Sequence, residues 1–337
     1  MKDEETNANS IDSWEVVPES AGQRLDLALC DRHPELSRTR IQNAIREGAV
    51  FVDGQPADTL SMRLSAGRRI DFHLPPVSRE EDMVPQPDAS IPMEILFEDE
   101  SLLVVNKPAG LVVHPGTRNL QGTLVSALLA RDPDNFNDMM DEECRPGIVH
   151  RLDKDTSGCL AIAKTQAAAE ALRTAFRERR TTKIYLAVAR GYFDPPSGTI
   201  DAPIARDELN RVRMAVVPVE AGGKEALTKY RVVAAFGGCS LLQVRLYTGR
   251  THQIRVHLAW MRRPVLGDLL YGGGRDCPPF SVQRQMLHAW KLALPHPVTG
   301  QPMTFTAPMP PDFRETVERF TEAAPASLKA LFAEDRA

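Results

Sequence analysis

Long apolar runs are missing from this chain: no stretch approaches the ~20 consecutive apolar residues that a membrane-spanning helix requires. The first ten residues, MKDEETNANS, are acidic and polar where a secretory signal would be basic and then apolar. The expectation is a cytoplasmic protein with no membrane association. Cysteine is scarce. There are five, an odd number, scattered at Cys30, Cys144, Cys159, Cys239 and Cys277 with no C-x-x-C pair, so neither a disulfide framework nor a zinc site is supported. The H-E-x-x-H pattern is also absent, and His252 and His257, five apart, do not share a helix face. No metal is expected. With five tyrosines and three tryptophans, stacking platforms for a run of unpaired bases are few, which favours one specific aromatic contact over general single-strand binding.

A net positive charge is lacking too. The formal total is -4, which on its face argues against a polyanionic partner, but the total conceals segregation along the chain. Residues 79–100 hold eight acids against one arginine, whereas residues 151–190 sum to +5 and residues 241–275 hold six arginines against Asp268. Basic surface concentrated in two stretches suits steering of a phosphate-bearing substrate, although such runs also describe solvated helix faces.

At 337 residues the chain exceeds one typical domain. Residues 1–17 read as an acidic disordered tail. Residues 18–75 read as a compact module: a short helix from Leu25, a second helix that Ser37 can cap and Gly48 can stop, and a hairpin in which AVFVDGQPA enters an Asp-Gly turn and AGRRIDFHL returns. Arg38, Arg40 and Arg46 on the second helix are its candidate RNA contacts. Residues 76–90 mix prolines with acids and read as a linker. Residues 91–325 alternate many strands with fewer helices, including TLVSALLARD capped by Thr123, an Ala- and Arg-rich helix over 166–179 and a closing helix over 312–321, and residues 326–337 read as a tail. The expected fold class is α+β, a mixed and mainly antiparallel sheet with flanking helices, plus the small N-terminal αβ module.

Chemistry concentrates in three clusters. In GIVHRLDKDTSG, Arg151 and Asp153 lie two apart and so face the same way in an extended segment. A neighbouring cation keeps a carboxylate ionised, as a nucleophile or base at neutral pH must be. Asp155, Thr156 and Ser157 read as turn-stabilising groups bonding nearby backbone amides, with Gly158 permitting the exit. Taken alone, Asp153 reads better as a turn-stabilising salt bridge. In TGRTHQIRVHLAW, a helix capped by Thr251 brings Arg250, His252 and Arg255 together at an N-terminus that favours anions. In RRTTKIYLAVARG, Lys183 and Tyr185 share one strand face, placing a phenol among bases.

Together with NKPAGLVVHPG, VLGDLLYG and QMLHAWKLALPHPVTG, these segments resemble, in order and over roughly residues 91–310, the RNA pseudouridine synthase family that includes ribosomal large-subunit pseudouridine synthase A. Residues 18–75 resemble the S4-type RNA-binding domain that precedes the catalytic domain in such proteins. The resemblance implies a pseudouridine synthase fold and a cofactor-free isomerisation of uridine to pseudouridine in RNA. It makes 23S ribosomal RNA, alone or within a precursor of the large subunit, the expected partner, and implies no obligate protein partner. It implies that Asp153 is the catalytic aspartate, that Tyr185 stacks on the uracil or moves the C5 proton, and that Arg255, with Arg250 as the alternative, pairs with Asp153. Arg151 would hold the flipped nucleotide, with Arg250, His252, Lys183 and Lys107 lining the substrate cleft. A transfer RNA substrate, a non-catalytic RNA-binding assembly factor and a magnesium nuclease built on Asp153 and Asp155 are the competing readings.

Overall fold

The computed structural model describes residues 11–34, 36, 38–57, 59–73, 85–114, 121–140, 145–210, 212–321 and 323–335. Ser37 and the side chains of Arg38 and Arg40 lie outside the described residues, as does most of the 76–90 segment.

The N-terminal module is built from strand β1 (Ile11–Glu15), helices α1 (Leu25–Arg32) and α2 (Arg38–Arg46), and strands β2 (Val50–Val52), β3 (Gln55–Pro56) and β4 (Arg69–His73). Asp53 and Gly54 both adopt positive φ, 51° and 77°, as the two-residue turn between β2 and β3 requires. The strand order is β1-β4-β2-β3. The sheet corrects two expectations. The Asp-Gly turn returns through the two-residue β3, while the AGRRIDFHL strand pairs with the other edge of β2. Residues 11–15, expected in a disordered tail, form β1 and pair along the whole of β4. Their alternation of exposed and half-buried residues places Trp14 against the module core of Leu25, Leu29, Ile41, Ile45, Ile70 and Phe72.

The larger part of the chain folds on a nine-stranded sheet. Its elements in chain order are β5 (Glu94–Glu98), β6 (Leu102–Lys107), α3 (Leu124–Arg131), α4 (Pro133–Asp138), β7 (Ser157–Ala163), α5 (Gln166–Arg177), β8 (Thr182–Arg190), β9 (Ser197–Asp201), β10 (Ile204–Arg206), β11 (Met214–Val216), β12 (Leu227–Phe236), β13 (Cys239–Leu246), α6 (Gln253–Trp260), β14 (Asp276–Cys277), β15 (Phe280–Ser281), β16 (Leu287–Pro295), β17 (Pro302–Thr306), α7 (Pro311–Glu318) and α8 (Pro325–Asp335). The order is β5-β6-β7-β16-β8-β13-β12-β9, with β17 added to β16. Only β7 and β16 run parallel; every other pair is antiparallel. The mixed, mainly antiparallel sheet thus agrees with the sequence pattern.

The strands that carry the site are buried on both faces. All seven residues of β7 are buried, which is why SGCLAIA is continuously apolar or small instead of alternating. Helix α3 begins at the expected cap: the Thr123 hydroxyl accepts from Ser126 N, and the Ser126 hydroxyl answers to Thr123 N. Gly158 joins the 150–157 turn to β7 at φ 118°, and a Cβ there would lie 2.2 Å from the carbonyl oxygen of Ala289. The turn can sit this close to β16 only because residue 158 has no side chain.

The C-terminus corrects a third expectation. Residues 326–335, expected in a tail, continue helix α8, whose Leu328 and Leu331 are buried in the cluster of Trp290, Phe313, Val317 and Phe320. The spacing of Leu328 and Leu331 is one helical turn, but only the sheet supplies the apolar surface that makes it a packed helix. Replacing the fully buried Leu328 with alanine is expected to destabilise the folded chain by about 2–5 kcal/mol. Urea denaturation would show this as a lowered midpoint with an unchanged slope.

Candidate active site

A cavity of about 450 Å³ opens between the 150–156 turn, the middle of β8 and the N-terminus of α6. Its lining includes Arg151, Asp153, Lys183, Tyr185, Arg250, His252 and Arg255. Segments separated by about a hundred positions in sequence therefore meet around one opening.

The start of α6 is set by a residue the sequence pattern did not single out. Thr251 does not cap the helix; the N-cap is His252, in the left-handed region at φ 57° and with no side-chain cap bond. Gln253 holds the turn instead. Its Oε1 accepts from Arg250 N at 2.9 Å and from the Thr248 hydroxyl at 2.8 Å, and its Nε2 donates to Leu227 O and to the Thr228 hydroxyl. Both ends of the buried amide are thus fully used, and α6 is pinned to β12.

From that helix Arg255 reaches across to Asp153. Its Nη1 donates to Asp153 Oδ2 at 3.0 Å, while its Nε and Nη2 fork onto Asp268 at 2.7 and 3.0 Å. Arg250, the alternative, instead donates to Glu225 O at 2.9 Å and stands exposed on the cavity rim. The Arg255 side chain is 8% exposed and that of Asp268 1%, against 19% for Asp153, so the anchoring carboxylate is dry and the other meets the cavity. The two carboxylates hold the Arg255 cation above its already high range, against the opposing effect of burial. The Tyr271 ring lies beneath the guanidinium, 5.1 Å away, and Tyr271 N donates to Asp268. The Tyr271 hydroxyl accepts from Met214 N and meets His252 Nδ1 at 2.8 Å, leaving His252 Nε2 3.9 Å from Asp153 Oδ1. Burial lowers the His252 pKa, with Asp153 opposing.

Asp268 and Tyr271 are functional-site residues that sequence reasoning passed over. Asp268 read only as the single acid of a basic segment. The signal available was its isolation: one carboxylate kept among six arginines in residues 241–275.

The 150–157 turn is held from behind. Lys107, expected to line the substrate cleft, is fully buried and absent from the cavity wall. Its three ammonium protons go to Pro108 O, Leu111 O and Lys154 O at 2.7–2.9 Å, which leaves none for a ligand. The lysine is therefore a strut between the 108–111 loop and the Asp153 turn. Burial pushes its pKa down to about 7, opposed by the charges of Asp155 and Asp153. Thr156 and Ser157 use side-chain partners where backbone amides were expected: Gln285 Nε2 donates to Thr156, and the Ser157 hydroxyl bonds His288 Nδ1 at 2.9 Å. Arg284 donates to Asp155 O. His150 accepts from Ala161 N through Nε2, and burial lowers its pKa to about 3, so its ring is neutral.

On the β8 side, Tyr185 is 8% exposed, and burial followed by the Asp153 charge raises its pKa above the ordinary phenol range. The phenol therefore keeps its proton at neutral pH. Lys183, one strand repeat nearer the mouth, donates to Thr248 O at 3.2 Å; burial, with Arg179 and Arg250 nearby, lowers its pKa to about 8. Arg151 is exposed on the rim. In the N-terminal module, Arg46 is exposed and donates to Asn43. Among the described residues no group of three or more histidine, cysteine or acidic side chains is arranged to hold a metal ion.

An ionised carboxylate, one oxygen clamped and one facing a cleft, can attack an electrophilic carbon or take a proton. A neutral phenol beside it can stack on a ring or exchange a proton.

Comparison with known proteins agrees with this geometry. The RNA pseudouridylate synthase family model matches residues 101–260, and the S4 domain model matches residues 23–70. The chain is 41% identical over 317 residues to ribosomal large subunit pseudouridine synthase D of Pasteurella multocida, covering 91% of this chain and 94% of that protein. It is 43% identical over 312 residues to the protein of that name from Nitrosomonas europaea, covering 91% and 86%. Among solved structures, human RNA pseudouridylate synthase domain containing 1 superposes with a TM-score of 0.53 over 67% of this chain and 86% of that one, at 31% identity. With Asp153, Tyr185 and Arg255 gathered on one cavity and relatives matched along nine-tenths of its length, the chain belongs to the RNA pseudouridine synthase family, joined to an S4 domain.

Proposed function

We propose that this protein converts specific uridines of large-subunit ribosomal RNA to pseudouridine in the cytoplasm, acting on the RNA alone or within an assembling large subunit, with Asp153 as the catalytic carboxylate. Relatives aligned over about 90% of the chain and named ribosomal large subunit pseudouridine synthase D support the substrate. The observation that carries the catalytic assignment is the single chain of charges from Asp268 through Arg255 to Asp153, which lines the cavity with its Oδ1 not bonded by Arg255 and 3.9 Å from His252 Nε2.

The reaction breaks the bond from C1′ to N1, turns the uracil and joins C1′ to C5; C5 then gives its proton to solvent while N1 takes one from solvent, so atoms and charge balance without a redox step. Asp153 attacks C1′ or removes the 2′ proton; both roles need an ionised oxygen facing the sugar. Arg255, bonded to Oδ2, fixes the direction of the carboxylate. Tyr185, buried and neutral, packs against the uracil and is positioned for the proton step at C5. Reaching this site requires the uridine to leave its helix, and Arg151 at the rim fills the space it vacates. Lys183, Arg250 and His252 face the phosphates and base edge at the mouth.

Asp153→Asn keeps the shape and removes the charge. It is expected to abolish pseudouridine formation in unmodified large-subunit transcripts while RNA affinity stays at the wild-type value. Wild-type turnover by the variant, scored by tritium release from C5-labelled uridine, would overturn the assignment. Activity should also persist in strong chelator with no chain cleavage, the outcome a magnesium nuclease could not give.

Asp268→Asn tests the clamp from its far end. An amide offers one acceptor oxygen where the carboxylate offers two, so Arg255 loses its forked anchor and Asp153 its fixed direction. We expect kcat to fall on the order of 100-fold, the penalty of misplacing a reacting group by about 1 Å, with KM nearly unchanged. A variant with wild-type kcat would show that Asp268 is ornamental to the site; a loss confined to KM would place it in RNA binding instead.

A further inference from the structure

At the ends of β12 and β13 next to the cavity, the sheet face opposite the one that carries Tyr185 bears a charge arrangement that folding by itself disfavours. Lys229 on β12 and Arg245 on β13 stand directly opposite each other in the antiparallel register, and both are exposed. Like charges opposed across two strands destabilise a sheet. Arg231, two residues along β12 and therefore on the same face, is exposed opposite Gln243 and donates to its Oε1 at 2.6 Å. Among the described residues no carboxylate stands within ion-pair distance of Lys229, Arg231 or Arg245; the only side-chain acceptors they meet are Gln243 and Thr182. Nearby arginines are treated differently: Arg179 is paired with Glu225 at 2.7 Å and Arg180 with Glu178 at 2.9 Å.

An aromatic ring completes the patch. Tyr247, just past the end of β13, lies under both opposed cations, 5.2 Å from Lys229 Nζ and 4.9 Å from Arg245 Cζ, and it also lines the catalytic cavity. Tyr247 thus joins the cavity to three cations that lack carboxylate partners, on the opposite face of β13 and β12.

We propose that this face is a phosphate track: it binds the sugar-phosphate backbone of the RNA strand that leaves the flipped uridine, with Tyr247 as the stacking surface at the point of exit. The inference rests on the RNA-modifying reading of the cavity, since that cavity must admit a nucleotide with strand on either side. Arginine forks fit phosphate oxygens, a ring flanked by cations suits a base next to its phosphate, and a polyanion is the partner that turns opposed like charges from a cost into a contact.

The test is the full-length triple variant Lys229→Gln, Arg231→Gln, Arg245→Gln, with binding to an unmodified large-subunit ribosomal RNA transcript measured across a potassium chloride series. Each lost phosphate contact lowers the salt slope by about 0.7–0.9, so the slope should fall by about 2–3 and low-salt affinity on the order of tenfold or more. Arg245→Lys, which keeps the charge, should retain the wild-type slope, and kcat at saturating RNA should be unchanged in both. The thermal midpoint of the triple variant should hold or rise, since repulsion is removed. A wild-type affinity and slope, or a lowered midpoint with RNA binding intact, would overturn the track and assign these residues to the fold. Absence of pseudouridine from the wild-type reaction would instead defeat the functional reading, while the salt slope would still judge the track.

Discussion

The site depends on one guanidinium shared between two carboxylates. Burying Arg255 costs several kcal/mol of lost hydration, and a single ion pair inside a protein seldom recovers that cost. Here the cation recovers it by directing its N–H groups at two acceptors, forked onto Asp268 and single onto Asp153. The division is unequal in a useful way. Asp268 is wholly enclosed and has no open face, so its two bonds only orient the arginine. Asp153 takes one bond from Arg255 on Oδ2, so orientation passes through Arg255 to the carboxylate without occupying its second oxygen.

That arrangement imposes conditions on distant parts of the chain. Arg255 and Asp153 are 102 positions apart, so α6 and the 150–157 turn must each be fixed to the sheet before they can meet. The two ends are fixed by different means. Gln253 ties the start of α6 to β12 through a fully satisfied amide. Lys107 ties the turn to the 108–111 loop through three carbonyls, and Gly158 lets it close onto β16. Between the two anchors run β16, β8 and β13, and the middle strand carries Tyr185 into the same space. The sheet acts as the ruler that sets the distance between carboxylate, cation and phenol.

Residues whose role lies in local pattern were legible in the sequence, and residues whose role lies in a long-range contact were not. HRLDKDTSG, HQIR and KIY announce Asp153, Arg255 and Tyr185 because charge and aromaticity stand out against apolar strands, and resemblance to a known family gives them roles. Thr123 was legible as a cap for the same reason: its partner is three residues away. Lys107 was misread because nothing in NKPAG reveals that its ammonium points inward to Lys154 O. Asp268 was missed because its partner lies 13 positions back, on another element. β1 and α8 were taken for tails because a five-residue strand with alternating polar positions, and a terminal helix with two core leucines, acquire stability only from the surfaces that receive them.

The electrostatic layout explains how a chain of net charge -4 can serve a polyanion. In the buried part of the site charge is compensated: Arg255 meets two carboxylates, Lys107, behind the cavity wall, is held by carbonyl dipoles, and His150 and Tyr185 are neutral. A compensated, largely dry interior suits an uncharged ring, because a free cation there would draw a phosphate into the place of the uracil. At the mouth the balance changes. Arg151 and Arg250 are exposed there, so positive charge faces outward, within reach of an incoming backbone. Base and phosphate are thereby sorted by depth.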